Sequence, residues 1–395
     1  MSMSFVGLFD VWKIFNYGDE KPGWRRTFFK LYQIGVICLL GLNFSRYFLA
    51  YHSFDFGSDL LTTIYVHAWF FLCFAYSVTN YRMVQYPTNL IRFFTQWKQY
   101  WMMVKNGPNT PDDGQECSWR QMRKHATIAT FVTLCLFIAN ISFICYLIFH
   151  PDSEPNLLEP ITNTHELFPL IAGFGLIALA YASSTWMFIA TFLIVLSLSV
   201  YHEFKNLVLR IEKMTQNLSS SQIRENMEAI RMQHTALCDM LDTGDMVLKN
   251  HVGMCIFIHI FNTLLLLYNL CWHDAVRGDL GQLFGHVFWL LGAVSMATIV
   301  MAVCSLVNIR AHEPAKFIYN LSMKDITADF ALQVNVFLHR LNGPPIGLTA
   351  WSLFVIDNQV IVSVAGILAT YFVVLLQFQQ SAAGTAATSL NDTVA

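Results

Sequence analysis

Residues 353–378 read LFVIDNQVIVSVAGILATYFVVLLQF. Asp357 is the one charge in the stretch, and about 20 mostly apolar residues are enough for a helix to cross a bilayer. Yet polar residues return through it at regular intervals. Ser363, Thr370 and Gln377 fall two helical turns apart, and Gln359, Gly366, Val373, Val374 and Gln380 fill the positions between them. On a helix these residues share one face, opposite Ile361, Val362, Leu368, Phe372 and Leu375. An amide in hydrocarbon without a partner costs several kcal/mol, so the polar face must meet protein or water. Small and hydrogen-bonding residues glue helices together; the same residues are tolerated at membrane depth where they line a water-filled path. The pattern alone leaves both readings open.

The rest of the chain repeats the apolar block without the polar seam. Of the 395 residues 55% are hydrophobic and 13% charged, against about 25% charged in soluble domains. Further runs of spanning length lie at roughly 30–51, 60–80, 126–149, 168–200, 251–272 and 282–308. With 353–378 they predict an all-α, polytopic membrane protein of seven helices. No phosphate-binding loop or dinucleotide fingerprint is present, and the 13 histidines form no i, i+4 pair. An enzyme, a cofactor and a metal site are therefore not expected. The nine cysteines contain no CxxC and mostly sit in apolar runs, so no disulfide framework is indicated. The first residues, MSMSFVGLFDVWKIF, hold Asp10 and Lys13 and do not read as a signal peptide.

Basic residues set the direction of the crossings. All 24 lysines and arginines except Arg46 and Arg277 fall before the first run or in the loops after the second, fourth and sixth. The N-terminus is thus expected in the cytoplasm and the C-terminus outside, with helical extensions on the cytoplasmic side. A seven-helix G-protein-coupled receptor has the opposite sense. A secondary transporter would show repeat halves or paired broken helices, and the break at 342–347 stands alone.

Within the inner loops, Phe204, Leu207, Val208, Ile211, Met214 and Leu218 form the one-sided stripe of an amphipathic helix. Ile223, Met227, Ile230, Leu237 and Leu241 resume it, and Phe330, Val334, Phe337, Leu338 and Leu341 form another, ended by NGPP at 342–345. The expected division is a cytoplasmic segment 1–29, a six-helix region 30–308 with long loops 81–125 and 201–250, a cytoplasmic helix and hinge 309–352, a seventh helix 353–380, and an outer tail 381–395.

Residues 370–378, TYFVVLLQF, fit TY, five apolar residues and QF. That pattern resembles the C-terminal signature of the insect gustatory receptor family, and GLTAWSLFVIDNQVIVSVAGILATY upstream resembles that family's approach to its last helix. The resemblance implies a tetrameric, ligand-gated, non-selective cation channel of the plasma membrane, homomeric or assembled with related receptors. Each subunit would give its last helix to one central pore. Gln377 and Phe378 would then form the gate region, with Thr370 and Tyr371 opening the motif; Ser363, Val373 and Val374 join the pore face by helical spacing. Phe372 stands where the sugar-sensing branch carries glutamate, which argues against membership in that branch.

A chemical stimulus, such as a tastant, needs a pocket of aromatic walls and a few directed polar groups. The outer halves of the first six runs offer Arg46, Tyr65, His67, Trp69, Tyr181, Trp186, Asn262, Tyr268, Trp272, His286 and Trp289. Each of these could equally be a packing or interfacial residue. Permeating cations and the bilayer are the other expected partners; no nucleic acid is.

Overall fold

The computed structural model describes residues 23–50, 58–105, 114–149, 168–217, 220–272, 274–321 and 327–394. The first 22 residues lie outside this set.

In chain order the described helices are α1 (Gly23–Ala50), α2 (Ser58–Gln85), α3 (Thr88–Lys105), α4 (Gly114–Phe149), α5 (Phe168–Asn217), α6 (Ser220–Trp272), α7 (Asp274–Gly278), α8 (Leu280–His312), α9 (Pro314–Tyr319) and α10 (Ala328–Leu341). A two-stranded hairpin, β1 (Thr349–Ala350) and β2 (Phe354–Val355), precedes α11 (Asn358–Val394). Among the described residues six helices, α1, α2, α4, α5, α6 and α8, contain stretches long and apolar enough to cross a membrane. The seventh, α11, has an apolar part at Asn358–Val374. Exposed faces such as Ile128, Phe131, Val132, Leu136 and Ile138 of α4 are the surface such helices present to lipid.

α5, α6 and α8 run past membrane length, and their ends join α3, α9 and α10 in a stalk. The sequence stripes explain its core. Phe204, Leu207, Val208, Ile211 and Met214 are all buried, as are Phe330, Val334, Phe337 and Leu341. α6 is a single helix from Ser220 to Trp272. α3 is an element the hydropathy pattern does not announce. Arg92, Lys98 and Lys105 interrupt it, but Leu90, Phe93, Trp97, Tyr100, Trp101 and Val104 recur at helical spacing and are buried.

Side chains stitch the stalk where apolar packing alone would let helices slide. Arg210 on α5 donates to the Tyr100 hydroxyl on α3 at 2.8 Å and to Gln233 Oε1 on α6 at 3.2 Å. Burial pushes the Tyr100 phenol up to about 12, outweighing the Arg210 guanidinium, so it stays a neutral acceptor. The indoles of Trp97 and Trp101 both donate to Glu203 Oε1, at 3.0 and 3.1 Å. His234 Nε2 donates to the Ala311 carbonyl at 2.9 Å, tying α6 to α8.

The seventh helix begins at Asn358, five residues into the apolar run, because 349–355 turn back as the hairpin. Asp357 ends the turn and caps the helix, accepting from the Val360 amide at 2.9 Å. The segment from the end of α10 to the start of α11 is pinned along its length. His312 donates through Nδ1 to the Leu341 carbonyl and accepts the Ile346 amide at Nε2. Thr349 gives its amide and hydroxyl to the two Asp245 oxygens, at 2.7 and 2.8 Å. The Trp351 amide reaches the Lys249 carbonyl at 3.1 Å, and Lys249 Nζ reaches Ser352 Oγ at 3.0 Å. Hydrogen bonds to charged groups are worth about 1.5–3 kcal/mol. Thr349→Val, which keeps the shape and drops the hydroxyl, should therefore lower stability by about that amount, read as a lower melting point in detergent. An unchanged melting point would show the Asp245 contact to be idle.

Candidate functional site

Beyond Asn358, which accepts from Ser305 Oγ at 2.6 Å, the described side chains of α11 meet the rest of the chain along one narrow stripe. Ile361 and Val364 pack against the stalk core, and Leu368 and Phe372 continue the half-buried line. At 3.6 residues per turn these four share one side of the helix. Gln359, Ser363, Gly366, Thr370, Val373 and Gln377 fall on the diametrically opposite side and are exposed. Val374 borders them, also exposed. The hydroxyls of Ser363 and Thr370 donate to the carbonyls of Gln359 and Gly366, at 2.8 and 2.9 Å within the helix. Val362, expected on the apolar side, is 71% exposed, because it lies a quarter turn from the contact stripe. Tyr371 is exposed. Phe378 lies on α11, but its side chain, like that of Leu375, lies outside the described residues.

At the far end of the bundle from the stalk, five helices enclose a cavity. Tyr65, Val66 and Trp69 come from α2, Asn140 and Ile144 from α4, and Trp186 from α5. His259, Asn262 and Leu266 come from α6, and Trp289 and Ala293 from α8. The space free of protein atoms is about 530 Å³, including its mouth. Among the described residues, no lysine, arginine, aspartate or glutamate lines it.

The polar groups of its wall are mostly paired with each other. Trp186 Nε1 donates to His259 Nε2 at 2.8 Å. The other ring nitrogen, Nδ1, must then carry the proton, and it donates to the Cys255 carbonyl at 2.6 Å. Trp289 Nε1 donates to Asn140 Oδ1 at 3.1 Å, and Asn140 Nδ2 donates to Ser183 Oγ at 2.9 Å. Asn262 differs: it is 4% exposed, and its Oδ1 has no hydrogen-bond partner among the described residues.

Five of the sequence candidates, Tyr65, Trp69, Trp186, Asn262 and Trp289, meet at this cavity. The other six do not line it. Arg46 lies over the Tyr47 ring, 5.0 Å from its centroid. His67 packs among Phe44 and Phe48. Tyr181 accepts a hydrogen bond from Tyr32 at 3.0 Å, and Tyr268 stacks on Trp272. His286 donates to the Gln282 carbonyl and stands behind Trp289, their rings 6.1 Å apart. Asn140 and His259 were missed, although each is a polar residue inside an apolar run, and that is the signal that would have found them. The described residues hold no group of three or more potential metal ligands.

The sequence profile of 7tm chemosensory receptors matches residues 3–382. No curated protein matches the sequence. Among solved structures, the insect olfactory receptor OR5 from Machilis hrabei superposes with a TM-score of 0.73 at 16% identity, over 95% of this chain and 97% of that one. The same receptor in complex with eugenol superposes with a TM-score of 0.72 at 16% identity, over the same shares.

Proposed function

We propose that this chain, which belongs to the 7tm chemosensory receptor family, is a subunit of a ligand-gated cation channel of the gustatory type. A small molecule enters the cavity between α2, α4, α5, α6 and α8. Four copies then surround a central pore lined by the polar face of α11, with the N-terminus and stalk in the cytoplasm and the tail outside. The observation that carries the reading is the orientation of α11. Its polar face points away from every other described helix of its own chain, so a seam gluing those helices within the monomer does not account for it. Water and further copies of the same helix do, and residues of this kind sit at membrane depth only where protein or water meets them. Phe378 would supply an apolar constriction next to Gln377, gating by dewetting.

The eugenol complex of the Machilis hrabei receptor supports a small-molecule stimulus. The gustatory assignment rests on TYFVVLLQF at 370–378. The stripe of contact along Ile361, Val364, Leu368 and Phe372 supports a helix that can tilt on its bundle.

Gln377→Cys tests the shared pore without knowledge of the ligand. Under oxidant, inter-chain dimers should appear on a non-reducing gel with the substituted chain and not with the unaltered one, whose native cysteines are the control. A thiol that reacts with a small reagent yet never cross-links would overturn the shared pore and favour a monomeric receptor or transporter.

A further inference from the structure

We infer that the cavity takes a neutral, largely apolar alcohol or phenol, held by its hydroxyl on Asn262. The inference rests on the cavity being the ligand site, and it adds the chemical class. Three features of the wall carry it.

The first is charge. Among the described residues, no ionised side chain lines the space. His259 is fixed as a neutral ring, because Nε2 already accepts from Trp186 and Nδ1 already donates to Cys255. A carboxylate or ammonium ligand would enter without a counter-charge, and an unpaired charge is the costliest thing to bury.

The second is the state of the other polar groups. Asn140, Trp186, His259 and Trp289 are committed to each other or to neighbours. A ligand that competed for them would have to break bonds the protein already makes. A sugar would bring more hydroxyls than Asn262, the Tyr65 phenol and the Trp69 N–H can satisfy, leaving unmet groups in an aromatic box.

The third is Asn262 itself. A side chain that is 4% exposed with an unpartnered amide oxygen is an exception to the pairing of buried polar groups. Here the exception lies on the cavity wall. An amide presents an acceptor and donors, and its two ends are assigned by the surrounding network. A hydroxyl both donates and accepts, so it meets Asn262 in either orientation. An ether or a bare hydrocarbon cannot donate to the oxygen. Aromatic walls from Trp69, Trp186 and Trp289 then hold the body of the ligand by stacking and edge contacts.

The test uses the full chain in lipid nanodiscs and the shift of its melting point on ligand addition. The probes are 2-phenylethanol and 3-phenylpropan-1-ol, the methyl ether of each, phenylacetate and glucose. The alcohols should raise the melting point saturably, and the ethers should need about tenfold higher concentration, the worth of one hydrogen bond to a buried partner. Asn262→Leu should erase the preference between alcohol and ether while leaving the aromatic body bound. If that variant fails to fold, the alcohol-to-ether ratio on the unaltered chain still decides. Equal affinity for alcohol and ether, tighter binding of phenylacetate or glucose, a preference that survives Asn262→Leu, or no alcohol binding at all would each overturn the assignment. Whole-cell current recorded with the same probes separates the two claims. Alcohol binding without any evoked current overturns the channel and leaves the alcohol site standing. Current evoked by glucose with no alcohol binding does the reverse.

Discussion

Trp97→Ala is expected to lower the stability of this fold by about 3–5 kcal/mol, the usual cost of emptying a buried aromatic site. That is a large part of the roughly 5–15 kcal/mol that holds a domain together. Trp97 is buried against the stalk core, and its indole shares Glu203 Oε1 with that of Trp101. The loss has two components. One is the hole left among α3, α5 and α6. The other is the removal of a donor from a carboxyl group that is fully buried. Trp97→Phe separates them, since it keeps most of the volume and drops the N–H; about 1.5–3 kcal/mol should remain of the loss. Glu203→Gln keeps an acceptor for both indoles and should cost less than either. The order of melting points in detergent is the measurement. Trp97→Ala within 1 kcal/mol of the unaltered chain would mean that α3 is an ornament on the stalk rather than part of its core.

Under the proposed channel function, Gly253→Leu is expected to abolish ligand-evoked current while the chain still reaches the cell surface. A Cβ at this position of α6 would lie 2.4 Å from Trp351 Cδ2 and 2.6 Å from Cε2, far inside contact distance. The Trp351 ring must leave, and the hairpin tip goes with it. That tip is already unfavourable, since Trp351 and Ser352 hold φ of 52° and 61°. For residues with a Cβ, left-handed backbone costs roughly 1–2 kcal/mol each. The Trp351 amide donating to the Lys249 carbonyl, Lys249 Nζ donating to Ser352 Oγ, and Thr349 donating to Asp245 hold it in place. Freed from them, the segment leading into α11 loses its fixed relation to α6. Surface labelling beside whole-cell recording checks the claim. Normal currents from Gly253→Leu would sink the idea that the hairpin couples α6 to the last helix.

The spanning helices and the stalk stripes were legible because hydrophobic blocks and helical periodicity are local properties of the chain. Phe204 to Met214 and Phe330 to Leu341 could be assigned to buried faces before any contact was known. α3 escaped notice because its buried stripe, Leu90 to Val104, is thinned by Arg92, Lys98 and Lys105, so mean hydropathy hides what spacing would reveal. The hairpin escaped for a different reason. Trp351 and Ser352 are not residues that announce left-handed backbone, as glycine or asparagine would; tertiary bonds to α6 impose the turn. At the cavity, the aromatic residues of the outer helix halves could be gathered but not sorted. Trp289 reaches the space while Trp272 stacks on Tyr268, and only the azimuth of each helix decides between them. Asn140 and His259 needed the same rotational knowledge before their pairing with Trp289 and Trp186 could be seen.

The unbroken course of α6 sets a rule for how this protein can change over time. Asp245, Lys249 and Gly253 hold the hairpin, while His259 and Asn262 face the cavity, all on one continuous helix. Each residue of a helix advances about 100° around the axis. A single insertion or deletion between Gly253 and His259 would therefore turn the cavity wall by that angle relative to the hairpin seat. Side chains in this stretch can be exchanged one by one without disturbing that relation. A change of length here would not spare it, so insertions are expected to be tolerated in the loops rather than between Gly253 and His259 of α6.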